Sequence, residues 1–147
     1  MKKAKLGFMF IAIILILVDQ LTKFLVMRNL SLSQSVPVIK NILHITLIKN
    51  TGAAFGIFRN TNTVLIWVTV IVIGFILFYF DKIADSKLSS VFTAFILSGA
   101  VGNLIDRIRL GYVVDFIDFG FWPAFNVADS AIVVGVIGLV VFCSRKS

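Results

Sequence analysis

The sequence predicts an all-α membrane protein of four transmembrane helices with a small β element, and three observations predict it. Hydrophobic residues make up 59% of the 147 residues and the mean hydropathy is +1.04, whereas a soluble domain is roughly 45–50% apolar. Four apolar runs, each long enough for a bilayer core of about 30 Å, fill most of the length. One stretch between the first two runs is polar and partly alternating, the pattern of strands. No segment is left for a separate soluble domain, so residues 1–147 are read as a single integral membrane domain.

The first span is read over residues 6–27. Lys2, Lys3 and Lys5 followed by Leu6 to Val18 have the charge and apolar core of a secretory signal peptide. No small-residue cleavage site follows, because the chain continues Val18-Asp19-Gln20-Leu21-Thr22-Lys23, and an uncleaved helix is expected. The second span, residues 64–80, is an unbroken uncharged run whose length favours a helix despite its β-branched content. The third, residues 88–105, carries Ser98, Gly99, Gly102 and Asn103 toward its end, small and polar residues suited to close packing in lipid. The fourth, residues 127–143, contains Asp129, Gly135 and Gly138.

Between the first two spans, Leu43 to Asn50 is β-rich and Asn50-Thr51-Gly52 is a turn signal, so a small sheet resting on the membrane is expected. The segment from Arg109 to Phe125 is aromatic, with Trp122-Pro123 suited to the interface. Counted over whole loops, the fourteen basic residues divide equally between the two sides. Orientation therefore rests on density at the span ends: Lys2, Lys3 and Lys5 directly precede the first span, and Arg145 and Lys146 follow the last. Both termini are expected on the cytoplasmic side.

The net charge of +7 is scattered in ones and twos around apolar runs, which argues against a nucleic-acid partner. The single cysteine, Cys143, excludes an internal disulfide and reads as a small hydrophobe. His44 is the only histidine and falls in the expected strand, so Ser-His and Cys-His mechanisms and a histidine-ligated zinc have little support.

All seven acids are aspartates, and with four spans running up and down five of them gather at the outer face. Asp19 falls late in the first span, Asp106 ends the third, Asp115 and Asp118 lie in the following loop, and Asp129 opens the fourth. Asp81 and Asp85 fall on the other side beside Lys82 and Lys87, as a solvated turn. A charge in hydrocarbon costs at least about 2.5–3.5 kcal/mol, so an intramembrane aspartate points to function unless a partner neutralises it. Asp19 has Lys23 four residues on, and Asp106 adjoins Arg107 and follows Asn103 by one turn, so both have readings as charge-paired structural residues. Asp115 and Asp129 have no basic neighbour in sequence and are flanked by apolar residues, in Val113-Val114-Asp115-Phe116-Ile117 and Phe125-Asn126-Val127-Ala128-Asp129.

Two such carboxylates brought together share a proton, one deprotonating water while the other protonates the scissile carbonyl or leaving amine. The residues alone leave that reading open beside an ion or proton site in a carrier. A Mg²⁺ site is also conceivable, since Asn103-Leu104-Ile105-Asp106 faintly resembles acid motifs of membrane lipid transferases, although it lacks a second closely spaced acid pair.

Five strings taken in order narrow the choice. Asp19 to Lys23, Asn50 to Gly56, Gly99 to Arg107, Val113 to Ile117 and Phe125 to Ser130 together resemble signal peptidase II, the bacterial membrane aspartic protease family that processes lipoproteins, over essentially the whole chain. The resemblance implies a catalytic dyad of Asp115 and Asp129. It implies that Asp19, Lys23, Asn50, Gly52, Asn103, Asp106, Arg107 and Asn126 support the dyad or line the substrate pocket, with neither a metal nor a cofactor. It implies a four-helix bundle with an extracytoplasmic β-cradle in the bacterial cytoplasmic membrane, working as a monomer among membrane lipids. The implied substrate is a prolipoprotein, cut just before its diacylglyceryl-modified cysteine. Two features depart from the family pattern: Ser98 stands where the first of two glycines is usual, and the segment from Asp115 to Asp129 is short, leaving the shape of the 116–128 loop and the role of Asp118 open.

Overall fold

The structure is a computed structural model that describes residues 2–52 and 61–145. The motif residues Ala53, Ala54, Phe55 and Gly56, and the basic Lys146, lie outside the described residues. Helix α1, Lys2–Asn29, is followed by strands β1, Ser35–Ile39, and β2, Leu43–Asn50. Helices α2, Asn62–Phe78, α3, Phe80–Ile83, and α4, Lys87–Leu110, come next, then strand β3, Val113–Asp118, and helix α5, Val127–Ser144. Among the described residues three helices are long and apolar enough to cross a membrane: Leu6–Asn29, Lys87–Leu110 and Val127–Ser144. Helix α2 is apolar but 17 residues long. The expected second span at 64–80 is thus interrupted near its end, where Tyr79 separates α2 from the short α3.

Burial in the helices is inverted relative to a soluble protein. On α1, Leu17 and Leu21 are 62% and 57% exposed while Asp19 and Lys23 are 1% exposed. Large exposed apolar side chains continue along α2 and α5, at Trp67, Ile71, Ile137 and Val140. Water would penalise such a surface and hydrocarbon favours it, so a multi-pass membrane protein follows.

Lipid offers no hydrophobic drive for one helix to seek another, so close approach has to come from small side chains and polar ties. At Gly99 a Cβ would strike the backbone carbonyl of Ala128, and at Gly102 it would sit 2.6 Å from Asp19 Oδ2. The two glycines therefore let α4 lie against α5 and α1 at the level where their polar residues meet. Ser98, buried beside them, satisfies its hydroxyl on Phe95 O within its own helix at 2.9 Å, which is how this chain tolerates a side chain there.

Helix α4, expected as the third span over residues 88–105, is longer than the apolar run suggested. It continues past Ile105 through Asp106 and Arg107 to Leu110, because these charged residues face protein and cleft and not lipid. Gly111, at φ 80°, caps it in the left-handed region and turns the chain into β3. Here a second expectation is corrected: Asp115 and Asp118 lie in a strand, not a loop. The sheet has the order β1-β2-β3, antiparallel throughout, with Ile48 opposite Asp115 and Asn50 opposite Val113. Pro37, which has no N–H to give, sits on the edge strand.

The loop after β3 returns sharply. Gly120, at φ 76°, donates its N–H to Asp118 Oδ1 at 2.8 Å, and Asp118 Oδ2 lies 2.8 Å from Thr46 Oγ1 on β2. Phe125 then pairs with Ile117 through two-way backbone bonds, Ile117 N to Phe125 O at 2.8 Å and Phe125 N to Ile117 O at 3.1 Å. Asp118 is thus a structural clasp for the short loop, and the bridge delivers α5 directly beside β3.

Gly99→Ala is expected to lower stability by about 1–3 kcal/mol, since backbone lies where the methyl must go. Gly74→Ala, with nothing within 4 Å, is expected to be neutral within about 0.5 kcal/mol. Thermal unfolding of the two variants in the same detergent checks the contrast.

Candidate active site

Polar residues converge where the C-terminal halves of α1 and α4, the N-terminus of α5 and the sheet meet. Asp115, 2% exposed, is held from both sides: Oδ1 accepts from Asn126 Nδ2 at 2.7 Å and Oδ2 from Asn50 Nδ2 at 2.8 Å. Asp129, half-buried in the first turn of α5, accepts from Asn103 Nδ2 at 2.8 Å through Oδ1 and from the Asn126 backbone N–H at 3.3 Å through Oδ2. Asn126 therefore touches both carboxylates.

Local sequence explains that double contact. Asn126 is the N-cap of α5, and its side-chain oxygen accepts the Asp129 N–H at 2.9 Å while Asp129 reaches back to the cap N–H. This is a reciprocal capping box. It orients Asp129 and leaves the Asn126 NH₂ group facing Asp115. Asn50 is fixed in a similar way, because its Oδ1 accepts the Gly52 N–H at 3.0 Å and its NH₂ is left for Asp115.

Behind the pair lies a sealed ionic cluster. Lys23 Nζ is 2.9 Å from Asp19 Oδ2 and 3.0 Å from Asp106 Oδ2. Asp19 Oδ1 accepts the Ala128 N–H at 2.9 Å, and Asp106 Oδ2 accepts the Val114 N–H at 3.0 Å. Gln20 Nε2 adds bonds to Asp106 Oδ1 at 3.0 Å and Gly102 O at 3.2 Å. The sequence offered Arg107 as the partner of Asp106, but adjacent residues on a helix point about 100° apart. Asp106 faces α1 and pairs with Lys23, while Arg107 faces a cleft.

That cleft, about 1130 Å³ and open to the outside, is lined by Asp115, Asp129, Asn50, Asn103 and Arg107. Its walls are otherwise largely apolar, with Trp122, Phe125 and, from α5, Ile132 and Val133 among them. Asp19, Lys23 and Asp106 do not line it. The carboxylates of Asp129, Asp115 and Asp106 lie near enough to act on the Arg107 guanidinium. Burial, and then the neighbouring Asp129 carboxylate, push Asp115 up to about 7, against the opposing pull of the Asn50 and Asn126 amides and the Lys23 charge. The two carboxyl groups thus open onto one cleft, and the charge of Asp129 acts on Asp115. Among the described residues no group of three or more metal-ligating side chains gathers.

A family model for signal peptidase (SPase) II, peptidase A8, matches residues 11–145. The chain belongs to the signal peptidase II family. Among its relatives, the lipoprotein signal peptidase of Halothermothrix orenii is 47% identical over 132 residues, covering 90% of this chain and 91% of that protein. That of Caldanaerobacter subterraneus subsp. tengcongensis is 52% identical, covering 83% of this chain and 85% of its own. A solved structure described as a bacterial membrane enzyme superposes with a TM-score of 0.87 at 34% identity, covering 95% of this chain and 88% of that one.

Within this signal peptidase II chain, the ten residues singled out from sequence fall into two groups. Asp115, Asp129, Asn50, Gly52, Asn103 and Arg107 line the cleft, and Asp19, Lys23 and Asp106 form the cluster behind it; Asn103 joins the two by accepting from Lys23 while donating to Asp129, and the buried Asn126 bonds Asp115, Asp129 and Asn103. Gln20 is the polar participant that residue-by-residue reasoning passed over. Its signal was visible, an amide inside an otherwise apolar run and next to Asp19.

The raised Asp115 fixes a sign for stability against pH. From its ordinary value of 3.8 up to about 7 the folded protein holds a proton that the unfolded chain has released, so this residue's contribution is full at the acid end and lost as pH rises through about 7. Melting temperature in detergent is expected to fall across that window, and Asp115→Asn to flatten this part of the slope.

Proposed function

We propose that this chain removes the signal peptides of prolipoproteins, cutting just before the diacylglyceryl-modified cysteine, with Asp115 and Asp129 as its acid–base pair. Membership of the signal peptidase II family gives the reaction class, an aspartic peptidase that processes lipoprotein precursors. The single observation that carries the residue assignment is that Asp115 and Asp129 open onto one cleft and are held there by neutral amides, with the Asp129 charge acting on Asp115.

In this reading a water lies between the two carboxyl groups. It gives a proton to the ionised one as its oxygen bonds the scissile carbonyl carbon, and the protonated one gives its proton to the carbonyl oxygen. When the tetrahedral intermediate breaks its C–N bond, the first carboxyl passes its proton to the leaving amine of the lipid-bearing cysteine, and the second takes back a proton from the diol hydroxyl as the carbonyl re-forms. Asn50, Asn103, Asn126 and Arg107 orient the carboxyl groups and the substrate backbone. The apolar wall of α5 at Ile132 and Val133 suits a substrate whose signal helix and acyl chains stay in hydrocarbon while its peptide bond reaches water.

The same reading makes residues 1–147 one membrane protease domain, working as a monomer, with α2 as a fourth span in the cytoplasmic membrane. Seventeen residues give α2 about 26 Å, near the lower limit for crossing. Supporting this arrangement, the site and the sheet lie at the end of the helices opposite both termini. With the basic residues at Lys2, Lys3, Lys5 and Arg145 on the cytoplasmic side, the cleft and β-cradle face outward.

Purified protein in detergent is expected to hydrolyse a lipid-modified prolipoprotein with chelator present. Asp115→Asn and Asp129→Asn should each lose at least about 100-fold in rate while keeping the fold. Full activity in either variant would remove that carboxylate from the pair, and loss of activity with chelator would favour a metal. A reporter fused after Ser147 is expected in the cytoplasm, and an extracytoplasmic signal would overturn the topology.

A further inference from the structure

Lys23 is 1% exposed and does not reach the cleft, yet its chemistry bears on the pair inside it. An ammonium has three N–H groups and no acceptor. Three oxygens take them: Asp19 Oδ2 at 2.9 Å, Asp106 Oδ2 at 3.0 Å and Asn103 Oδ1 at 3.1 Å. Because Lys23 can only donate, the Asn103 atom that meets it has to be the amide oxygen. The NH₂ group is thereby turned toward Asp129 Oδ1, 2.8 Å away. The opposite amide orientation would set a carbonyl oxygen against the carboxylate and an NH₂ against the ammonium.

A second donor also meets Asn103 Oδ1, namely Asn126 Nδ2 at 3.2 Å. That nitrogen has two hydrogens and three oxygens within reach, with its shortest bond, 2.7 Å, going to Asp115 Oδ1. Its hold on Asn103 is therefore shared and long, and the ammonium is the stronger orienting group. The two other amides of the site, Asn50 and Asn126, are locked by backbone N–H groups. Asn103 alone is locked by a side chain, so its orientation is the one a substitution can release.

We propose that Lys23 is a positioning residue for the reaction, fixing Asn103 in the one amide orientation that donates to Asp129. The role rests on the peptidase reading above and adds to it a residue sealed from substrate. It predicts a loss chiefly in kcat with little change in KM, because Lys23 is sealed from substrate and the bond it controls sets the orientation of a reacting carboxyl group. A residue that only balances buried charge would not act through Asn103.

Removing Lys23 alone would leave Asp19 and Asp106 facing each other uncompensated, so the test uses the pair Lys23→Met with Asp19→Asn, which keeps the net charge of the cluster. Its partner is Lys23→Gln with Asp19→Asn, which restores a side-chain amide donor without restoring the ammonium. Cleavage of a lipid-modified prolipoprotein is followed with melting temperature measured alongside. The Met pair is expected to lose roughly 10- to 100-fold in kcat, the range for a hydrogen bond to a charged group, with KM within about twofold. The Gln pair should recover most of the loss. In an Asn103→Ala background the Met and Gln pairs should have equal kcat, since the amide they orient is gone.

Equal losses in the Met and Gln pairs with Asn103 present, or a Met–Gln difference that survives Asn103→Ala, would overturn the proposal. If neither pair folds, Lys23 serves charge balance alone and the proposal also falls. Failure of the unmodified protein to cleave would sink the peptidase reading itself, which separates the two failures.

Discussion

An ammonium sealed away from water has to be solvated by the protein, and in this molecule Lys23 is solvated by α1 and α4 together. Its cost in a low dielectric is several kcal/mol unless every N–H is met, and here every one is met by a carboxylate or amide oxygen. The two carboxylates that serve it then reach onward. Asp19 takes an otherwise orphaned N–H at the start of α5, and Asp106 takes the N–H of Val114 in β3. One buried cation thus ties together four elements, and two of these, β3 and α5, carry the proposed dyad. No buried side-chain nitrogen or oxygen among the described residues is left without a partner, as a polar network in a membrane protein requires.

Such a network needs the helices closer than ordinary side chains allow. Gly102 leaves room for the Asp19 carboxylate, and Gly99 lets the Ala128 backbone lie against α4. Small residues and polar cluster therefore depend on each other: the glycines permit the approach, and the hydrogen bonds supply the association that lipid does not. The outward faces of α1, α2 and α5 are left free to be apolar all along.

Much of this was legible in sequence where the signal is local. The apolar runs mark the helices because hydropathy is a property of consecutive residues, and β2 shows in the alternation from Leu43 to Asn50. Strand β3 was read as loop because six residues between a basic helix end and an aromatic turn carry little pattern, and its partner strand lies more than sixty residues earlier. Partnerships failed for the same reason. Arg107 is beside Asp106 in sequence, whereas Lys23 meets it only when α1 packs on α4. The clasp by Asp118 needs both the Gly120 turn and Thr46 of β2, neither of which announces the other.

The structure also shows why two aspartates of the five differ from the rest. Asp19 and Asp106 face an ammonium and backbone N–H groups in a sealed space, and Asp118 spends one oxygen on its loop and the other on Thr46 of β2. Asp115 and Asp129 instead meet the neutral amides of Asn50, Asn103 and Asn126, with a cleft open before them. A carboxylate paired to a buried cation is spent on structure, since protonating it would strand that cation. Carboxylates held by neutral donors keep their orientation whichever of them carries the proton. An acid–base pair has to be fixed in place yet free in charge, and among these acids only the pair held by amides satisfies both conditions.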